Sequence, residues 1–311
     1  MTALGLDTSN YTTSAALFDG AEGRNAGRLL EVRPGELGLR QSEALFQHVK
    51  ALPGRVAELG KLTGISAVAA STRPRAVEGS YMPCFLAGES QGRVLASALG
   101  VPFYAVSHQQ GHLAAAAWSA GRPELLNAPF LAWHLSGGTT ELLYVEPEGV
   151  NIRAEKLGGT TDISAGQLID RTGVLLGLPF PAGKALDALA RTAERAVKPY
   201  PVKLNGLSFS LSGMENKVKE LAAKEPPAVA ARYALDTVAD VVRRATAAAQ
   251  TAHPGLPVLC SGGVASNSRL RQVLAEGCGA LFAEPRYSTD NALGVAILAH
   301  RLAEAGAPAE G

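Results

Sequence analysis

The sequence is poor in the residues that mark secreted, zinc-knuckle or membrane proteins. Only three cysteines occur in its 311 residues, Cys84, Cys260 and Cys278, and their spacings fit neither a disulfide framework nor a zinc knuckle. Aromatic residues make up 5% of the chain, and no uninterrupted apolar run is long enough to span a bilayer. The first residues also lack the charged-then-apolar pattern of a secretory signal. We therefore expect a cytoplasmic protein that does not enter a membrane.

The chain also lacks a charge excess of either sign. It contains 29 Lys and Arg against 28 Asp and Glu, a formal net charge of +1. A protein that binds nucleic acid unaided usually carries a larger basic excess, so an RNA partner would require a local basic patch or a helper protein. The residues that are abundant, 34 glycines and 47% apolar residues, are typical of a soluble α/β protein. The length favours two domains.

One pattern occurs twice, about half a chain apart. Residues 4–18 and residues 130–145 each consist of an apolar strand, a short polar turn and a second apolar strand. The first turn carries the carboxylate of Asp7, which suits a metal or an oriented water. The second is Ser136-Gly-Gly-Thr139, whose backbone N–H groups and hydroxyls suit a phosphate; an ordinary hairpin turn is the alternative. The repeat predicts a duplicated, two-lobed fold with the paired turns facing a cleft.

Two histidines begin a predicted helix after a short strand. Ser107 and Gln110 form the capping-box pattern that marks a helix start. His108 and His112 are four residues apart and therefore share a helix face. Two imidazoles so placed can chelate one divalent metal with a third ligand from elsewhere, although two histidines also share a face by chance. Asp7 and Asp290 are the carboxylates considered as the third ligand; alternatively, Thr289 or Asp290 caps the last helix.

A second Gly-Gly turn lies near the end of the chain. Residues 262–267, Gly-Gly-Val-Ala-Ser-Asn, follow a predicted buried strand and precede a predicted helix. Strand, Gly-Gly turn and helix together are typical of nucleotide sites, because a helix N-terminus favours phosphate. Asp187, expected in the first turn of another helix, is explained by the helix dipole alone.

Hydrophobic periodicity gives an outline of the remaining elements. Residues 19–38 are predicted to be a polar connector without regular structure. The predicted helices cover residues 41–59 with a break at Pro53-Gly54, 85–99, 167–176, 184–196, 228–252 and 292–302. The predicted strands include residues 65–70, 101–106, 150–157, 207–212 and 257–261.

Taken together, these motifs resemble the TsaD (Gcp) family over nearly the whole chain. They occur in the family's order: Gly5-Leu-Asp-Thr-Ser9, His108-Gln-Gln-Gly-His112, Leu135-Ser-Gly-Gly-Thr139, Ala165-Gly-Gln-Leu-Ile-Asp170, Pro181-Ala-Gly183, Ser208-Phe-Ser-Leu-Ser-Gly213, Gly262-Gly-Val-Ala-Ser-Asn267 and Ser288-Thr-Asp-Asn291. The resemblance implies an α/β fold of the actin/Hsp70/sugar-kinase (ASKHA) type, duplicated, with two lobes around a nucleotide cleft. It implies an N-terminal lobe over residues 1–125 and a C-terminal lobe over residues 126–311, with the last helix (about 291–304) packing back on the first lobe.

The resemblance also implies an activity, the transfer of threonylcarbamoyl from threonylcarbamoyl-adenylate to the N6 amine of the adenosine 3′ of the anticodon in tRNA. It implies one divalent metal ion, zinc or iron, held by His108, His112 and Asp290. The positions implied to hold the nucleotide-bearing substrate are Leu135, Ser136, Gly137, Gly138, Thr139, Asp170, Gly183, Asp187 and Asn267, with Asp7 and Ser9 as additional candidates. The implied partners are tRNA and helper proteins similar to TsaB and TsaE, and the implied assembly of this chain is a homodimer or a heterodimer.

Several positions depart from the family's usual motifs. Thr139 replaces a histidine, Gln167 a glutamate, and Glu215 a lysine. Two carboxylates of the family's opening motif are missing from residues 10–13, Ile163 stands where the family often has aspartate, and the loop over residues 72–83 differs. The chain therefore resembles a divergent paralogue. Two alternatives stay open: a metal- and nucleotide-binding scaffold without transferase activity, and a small-molecule carbamoyltransferase or kinase on the same fold.

Overall fold

The chain divides into two compact units. Unit 1 comprises Met1–Ala128, Glu146–Ala154 and Thr289–Gly311, and unit 2 comprises Pro129–Val145 and Glu155–Ser288. The computed structural model describes residues 1–9, 11–32 and 39–309. Across these ranges, every helix is either too short or too polar to cross a bilayer.

The N-terminal part of the chain alternates strands and helices. Its elements are β1 (Thr2–Asp7), β2 (Thr12–Phe18), β3 (Gly23–Leu29), α1 (Gln41–Glu58), β4 (Ile65–Arg73), α2 (Phe85–Leu99), β5 (Phe103–Ser107) and α3 (His108–Ser119). The five strands form one sheet in the order β3-β2-β1-β4-β5. The first three strands pair antiparallel, whereas β4 pairs parallel with both β1 and β5.

The remaining elements start with the second hairpin. They are β6 (Phe130–Leu135), β7 (Thr140–Glu148), β8 (Asn151–Thr160), α4 (Ala165–Leu175), α5 (Gly183–Arg191), β9 (Leu204–Asn205), β10 (Ser208–Phe209), α6 (Ser212–Ala222), α7 (Pro227–Ala252), β11 (Val258–Ser261), α8 (Ser268–Cys278), β12 (Leu281–Phe282) and α9 (Leu293–Glu304). Their strands form a sheet in the order β12-β11-β6-β7-β8-β10-β9. Within it, β8-β7-β6-β11-β12 repeats the order β3-β2-β1-β4-β5 of the first sheet. The predicted duplication is therefore present in the strand order.

The cores of the two units follow from their apolar strands. β1 and β2 are buried almost throughout, and small residues of α2 allow that helix to approach the first sheet, where a Cβ on Gly92 would lie 2.9 Å from the ring of Phe103. In unit 2, the indole of Trp133 is fully buried against α7 and donates a 2.8 Å hydrogen bond to the hydroxyl of Thr246. Its one polar atom is thus satisfied inside the core.

Helix α9 packs in unit 1 against β1, β4 and α3. The close approach depends on glycine, because a Cβ on Gly5 would lie 2.4 Å from the backbone nitrogen of Ala296. A Cβ on Gly294 would likewise lie 1.7 Å from the carbonyl oxygen of Gly111 in α3. These backbone contacts bring the segment before α9, which carries Asp290, against the first turns of α3.

Several local predictions differ from the structure. The predicted connector contains strand β3, an exposed edge strand that pairs with β2 along its whole length; its only buried residue is Ala26, so it has little apolar signal. Helix α1 continues through Pro53 instead of breaking there as predicted. The buried side of the helix, which includes Leu52, packs in the core both before and after the proline. The helix predicted over residues 184–196 ends at Arg191, and the strand predicted over residues 207–212 is present only as the short strand β10. The parts of the predictions that fall on residue 10 and residues 33–38 lie outside the described residues.

Candidate metal centre and nucleotide-binding turn

The start of α3 is fixed by the capping box predicted from the sequence. The Ser107 hydroxyl accepts from the backbone N–H of Gln110 at 3.2 Å, and the Gln110 side chain accepts from the backbone N–H of Ser107 at 2.8 Å. The Gln110 amide also donates to the carbonyl of Ile152 at 2.6 Å. His108 is the first residue of this helix and His112 follows one turn later. Both imidazoles are therefore carried by a rigid helix end.

Three side chains of unit 1 converge at this helix end. The Nε2 atoms of His108 and His112 are 2.9 Å apart, and Asp290 Oδ1 lies 3.2 Å from His112 Nε2 and 3.5 Å from His108 Nε2. Two ligand atoms at about 2.0–2.1 Å from one ion, separated by a tetrahedral angle, lie roughly 3.3–3.4 Å apart. The observed separations bracket that value. Two imidazole nitrogens and one carboxylate oxygen are also a donor set that zinc and iron accept. The three residues thus fit one divalent ion.

The electrostatics of the trio favour a positive charge at its centre. Burial disfavours the charged form of His108, but the carboxylates of Asp7 and Asp290 outweigh it and raise the pKa of His108 to about 10. Burial also acts against a charged Asp290, yet hydrogen bonds from His108 and His112 hold the pKa of Asp290 well below its ordinary value. A divalent cation can supply the same positive charge in place of the proton.

Asp7 lies next to His108 but outside the trio. Its Oδ2 is 2.7 Å from Nδ1 of His108, on the side of the imidazole opposite Nε2. Burial acts to raise the pKa of Asp7, but the charge and hydrogen bond of His108 and the hydrogen bond of Ser9 together hold that pKa below its ordinary value. Ser9 donates its backbone N–H to Asp7 Oδ1 at 2.8 Å, and the buried Ser9 hydroxyl has no hydrogen-bond partner among the described residues. Asp290, by contrast, is not used as a helix cap, since Leu293 N–H bonds to the side chain of Asn291.

The turn over residues 135–139 connects β6 to β7 in unit 2. It is closed by a 2.8 Å hydrogen bond from Ser136 N–H to the Thr139 carbonyl and a 3.0 Å bond from Thr139 N–H to the Ser136 hydroxyl. A Cβ built on Gly137 or Gly138 would meet no heavy atom within 4 Å. The backbone of both glycines is therefore open to a ligand, as a phosphate-binding turn requires.

The turn packs directly on the N-terminus of α4. A Cβ on Gly166 would lie 2.5 Å from the Cα of Gly137, and the Ser164 hydroxyl donates to the Gly137 carbonyl at 2.5 Å. Ser164 and Gln167 form a second capping box at this helix start. We missed this support in the sequence, although the Ser-x-x-Gln spacing that signals it is the same as at residues 107–110.

The other candidate nucleotide residues lie at the starts of α5 and α8. Asp170 accepts from the backbone N–H of Ala182 at 2.8 Å, immediately before Gly183, where α5 begins. Asn267 caps α8 by accepting from two backbone N–H groups, and its Nδ2 donates to Asp187 Oδ1 at 3.1 Å. Asp187 also accepts from the hydroxyl of Ser268 at 2.7 Å.

Asp187 therefore supports the N-terminus of α8, and it lies just past the first turn of its own helix rather than within it as the sequence predicted. Asp187 and Asn267 form one hydrogen-bonded pair, and the 135–139 turn forms a separate group. Among the described residues, no hydrogen bond joins the pair to the turn. The metal trio lies in unit 1, as do the additional candidates Asp7 and Ser9, whereas the 135–139 turn, Asp170, Gly183, Asp187 and Asn267 lie in unit 2.

Two positions that depart from the family motifs have partners of their own. The Gln167 side chain accepts from Ser164 N–H at 3.1 Å as part of the capping box. Glu215 pairs with Arg171 at 2.9 Å and with Lys219 at 3.6 Å. Neither substitution leaves an unsatisfied polar group, so the fold accommodates both.

Comparison with known sequences identifies relatives along the whole chain. A family model described as "TsaD: tRNA N6-adenosine threonylcarbamoyltransferase" matches residues 42–297. The chain is 37% identical over 325 residues to the tRNA N6-adenosine threonylcarbamoyltransferase of Thermus thermophilus, covering 99% of this chain and 95% of that protein. It is 34% identical over 352 residues to the protein of that name from Sinorhizobium medicae, covering 100% of this chain and 92% of the relative.

Solved structures with lower sequence identity share the fold. Component A of the (R)-2-hydroxyglutaryl-CoA dehydratase of Acidaminococcus fermentans is 15% identical, with a TM-score of 0.56, covering 98% of this chain and 99% of that chain. Full-length HypF in its phosphate- and nucleotide-bound form is 13% identical, with a TM-score of 0.60, covering 98% of this chain and 46% of that chain. The predicted α/β fold of the ASKHA type is thereby confirmed.

Proposed function

We propose a function from one premise: the chain belongs to the TsaD family of tRNA N6-adenosine threonylcarbamoyltransferases, as its motifs predict. The proposed reaction is the transfer of threonylcarbamoyl from threonylcarbamoyl-adenylate to the N6 amine of the adenosine 3′ of the anticodon in tRNA. The observation that carries the proposal is the convergence of His108, His112 and Asp290 within 3.5 Å of one another, in a chain that matches named transferases from end to end.

The reaction exchanges one bond to the carbamoyl carbon for another. The N6 amine attacks that carbon and forms a C–N bond, while the C–O bond to the adenylate phosphate breaks. AMP leaves with the electron pair, and the amine loses one proton to water. Because AMP is a good leaving group, positioning and electrostatics supply much of the rate enhancement.

His108, His112 and Asp290 would hold one divalent ion, zinc or iron. When bound, the ion supplies Lewis-acid chemistry toward the oxygens of the mixed anhydride. The protein's own contribution is to hold three donors on two backbone segments, the start of α3 and the segment before α9. The close contact between Gly111 and Gly294 fixes the distance between those segments.

The adenylate phosphate would lie at the 135–139 turn. Two observations support this location: the open backbone at Gly137 and Gly138, and the packing of the turn on the N-terminus of α4. A helix N-terminus stabilises negative charge through its dipole. Asp170, Gly183, Asp187 and Asn267 would contribute to adenosine binding from the starts of α5 and α8.

We propose that the protein acts in the cytoplasm and that its binding of tRNA depends on helper proteins similar to TsaB and TsaE. The nearly neutral charge of the chain supports such dependence, because 29 basic and 28 acidic residues give little general attraction for a polyanion. A dimer, homomeric or with such a helper, is part of the same proposal.

A scaffold without transferase activity is the second candidate, and the missing carboxylates at Tyr11 and Thr12 favour it. The hydrogen bonds of Gln167 and the ion pairs of Glu215 weigh against it, because these substitutions are accommodated without loss of the site's framework. A small-molecule carbamoyltransferase or kinase is the third candidate, and it would act on a small amine or alcohol instead of tRNA.

The decisive experiment measures the modified nucleoside. Purified metal-loaded protein is incubated with threonylcarbamoyl-adenylate and unmodified tRNA, with and without the helper proteins, and digested tRNA is analysed by mass spectrometry. We expect the modified adenosine with the parent protein and none with His112→Ala. Gene replacement in cells depleted of their own TsaD should restore the nucleoside. If the soluble, metal-loaded parent produces none in either setting, the scaffold is the better conclusion; transfer to a free small amine alone supports the third candidate.

A further inference from the structure

The carboxylate of Asp7 binds the ring nitrogen of His108 that faces away from the metal trio. Asp7 Oδ2 and His108 Nδ1 are 2.7 Å apart, whereas His108 Nε2 is 2.9 Å from His112 Nε2. One histidine is thus held between a carboxylate on one edge and the proposed metal position on the other. On the basis of the proposed metal site, we propose that Asp7 is a positioning residue. It fixes the orientation and the tautomer of His108 for metal binding and is not itself a ligand.

The geometry assigns the hydrogen of the neutral His108 ring to Nδ1. A carboxylate can only accept a hydrogen bond, so Nδ1 of His108 must be the nitrogen that carries hydrogen toward Asp7. In the neutral ring, Nε2 is then left with its lone pair directed at the space shared with His112 and Asp290. A carboxylate or carbonyl on the outer nitrogen is the usual partner of a metal-bound histidine, and it both orients the ring and increases its basicity.

Asp7 is itself held rigidly, as a positioning residue must be. It is the last residue of β1, where its backbone pairs with Ser14 of β2, and its side chain is 2% exposed. Its second oxygen accepts the backbone N–H of Ser9 at 2.8 Å. Both carboxylate oxygens therefore have a partner in the described structure, and Asp7 lies outside the group of three donors that could hold one ion.

The two aspartates near His108 are therefore assigned different tasks. Asp290 Oδ1 lies 3.5 Å from Nε2, on the side of the ligands, and Asp7 Oδ2 lies 2.7 Å from Nδ1, on the opposite edge. Sequence position alone gave both residues as alternatives for the third ligand. Replacing Asp290 should remove a ligand, whereas replacing Asp7 should leave three ligands in place with one of them poorly oriented.

Metal affinity separates these roles without any measurement of transfer. The parent, Asp7→Asn, Asp7→Ala and Asp290→Asn proteins are titrated with Zn²⁺ against a competing chelator. Loss of an outer carboxylate typically weakens metal binding by about 10- to 100-fold. We expect that loss for Asp7→Asn and a larger loss for Asp290→Asn. Asp7→Asn is nearly isosteric, so it tests the proposal even if Asp7→Ala fails to fold.

A second readout observes the ring directly. With ¹⁵N-labelled histidine, NMR of the Zn²⁺-loaded parent should give a His108 Nδ1 that carries hydrogen, and Asp7→Asn should weaken or exchange-broaden that signal. Unchanged affinity together with an unchanged Nδ1 signal in both Asp7 variants would overturn the role of Asp7 while leaving the metal site intact. A parent protein that binds no Zn²⁺ would overturn the metal site and this role together. Absence of tRNA modification bears only on the proposed function.

Discussion

Gly262 lies directly against the backbone of Leu135. A Cβ at position 262 would lie 2.2 Å from the Leu135 carbonyl oxygen. The φ angle of Gly262 is +92°, a conformation that glycine adopts without strain and other residues do not. Strand β11 pairs parallel with β6, with Ser261 opposite His134, so the contact joins the residue after β11 to the last residue of β6. The second Gly-Gly turn of unit 2 therefore supports the turn proposed to hold phosphate.

We predict that Gly262→Ala destabilises the protein, because the new methyl group would collide with the backbone of β6 and hold alanine at a strained φ. The expected loss in the free energy of unfolding is about 2 kcal/mol or more, measured by urea denaturation. Gly263→Ala is the matched control, since a Cβ there meets no atom within 4 Å. Equal stabilities for the two variants would contradict the close contact.

His112→Ala should empty the metal centre. The substitution removes the nitrogen that lies within 3.2 Å of both other donors, and two remaining ligands bind a divalent ion weakly. Elemental analysis after dialysis against a weak chelator should give about one ion per parent chain and almost none for the variant. His253→Ala, at the end of α7 in unit 2, serves as the control and should keep its metal. The same metal content in His112→Ala as in the parent would remove the assignment.

Gly138→Val should weaken nucleotide binding without unfolding the protein. The space around Gly138 is open, so the valine side chain meets no protein atom near its Cβ and instead occupies the position proposed for phosphate oxygens. Calorimetry with AMP and ATP should give an affinity at least roughly tenfold lower, equivalent to about 1.4 kcal/mol. Gly54→Val, at an equally open glycine in α1, should bind as the parent does. Unchanged affinity in Gly138→Val would exclude the turn from the site.

Local sequence signals predicted local structure well. Helix α2 has the bounds expected from its periodicity, Phe85–Leu99, because small residues on one face and a glycine immediately after it are strong signals. The capping box at Ser107 is present as predicted. Strand β3 was missed because it lies at a sheet edge with an exposed, charged surface, so pairing with β2 determines its structure rather than its own composition.

The candidate metal centre could be predicted only in part from local sequence signals. The four-residue spacing of His108 and His112 predicts a shared helix face, and that prediction needs only the helix period. The proximity of Asp290 depends on α9 approaching α3 through Gly111 and Gly294, a contact between residues distant in sequence. Periodicity contains no information about such a contact, so only the family resemblance favoured Asp290 over Asp7. The separate position of Asp7 likewise required the sheet that places the end of β1 beside α3.

The last prediction concerns the pH dependence of stability. Asp162 accepts hydrogen bonds from Leu211 N–H at 2.8 Å and from the hydroxyl of Ser210, at the start of α6. Burial acts to raise the pKa of Asp162, but these hydrogen bonds outweigh it and hold the pKa below its ordinary value of 3.8. The ionised carboxylate thus stabilises the fold above about pH 4, and that contribution is lost as pH falls through the lowered pKa.

At neutral pH, Asp162→Asn should therefore be less stable than the parent by about 0.5–1 kcal/mol, a modest value because the side chain is largely exposed. The difference should shrink as urea unfolding is repeated from pH 7 down to pH 3, since the Asp162 carboxylate of the unfolded parent takes up a proton near its ordinary pKa of 3.8 while the folded one, with its lowered pKa, stays ionised. That proton uptake favours the unfolded parent and has no counterpart in Asp162→Asn. Glu194→Gln removes the same charge from an exposed side chain of unit 2 that makes no hydrogen bond or ion pair to the described residues, so its stability relative to the parent should change little at any pH. A difference between parent and Asp162→Asn that stays constant down to pH 3 would mean that the ionised carboxylate does not hold the start of α6.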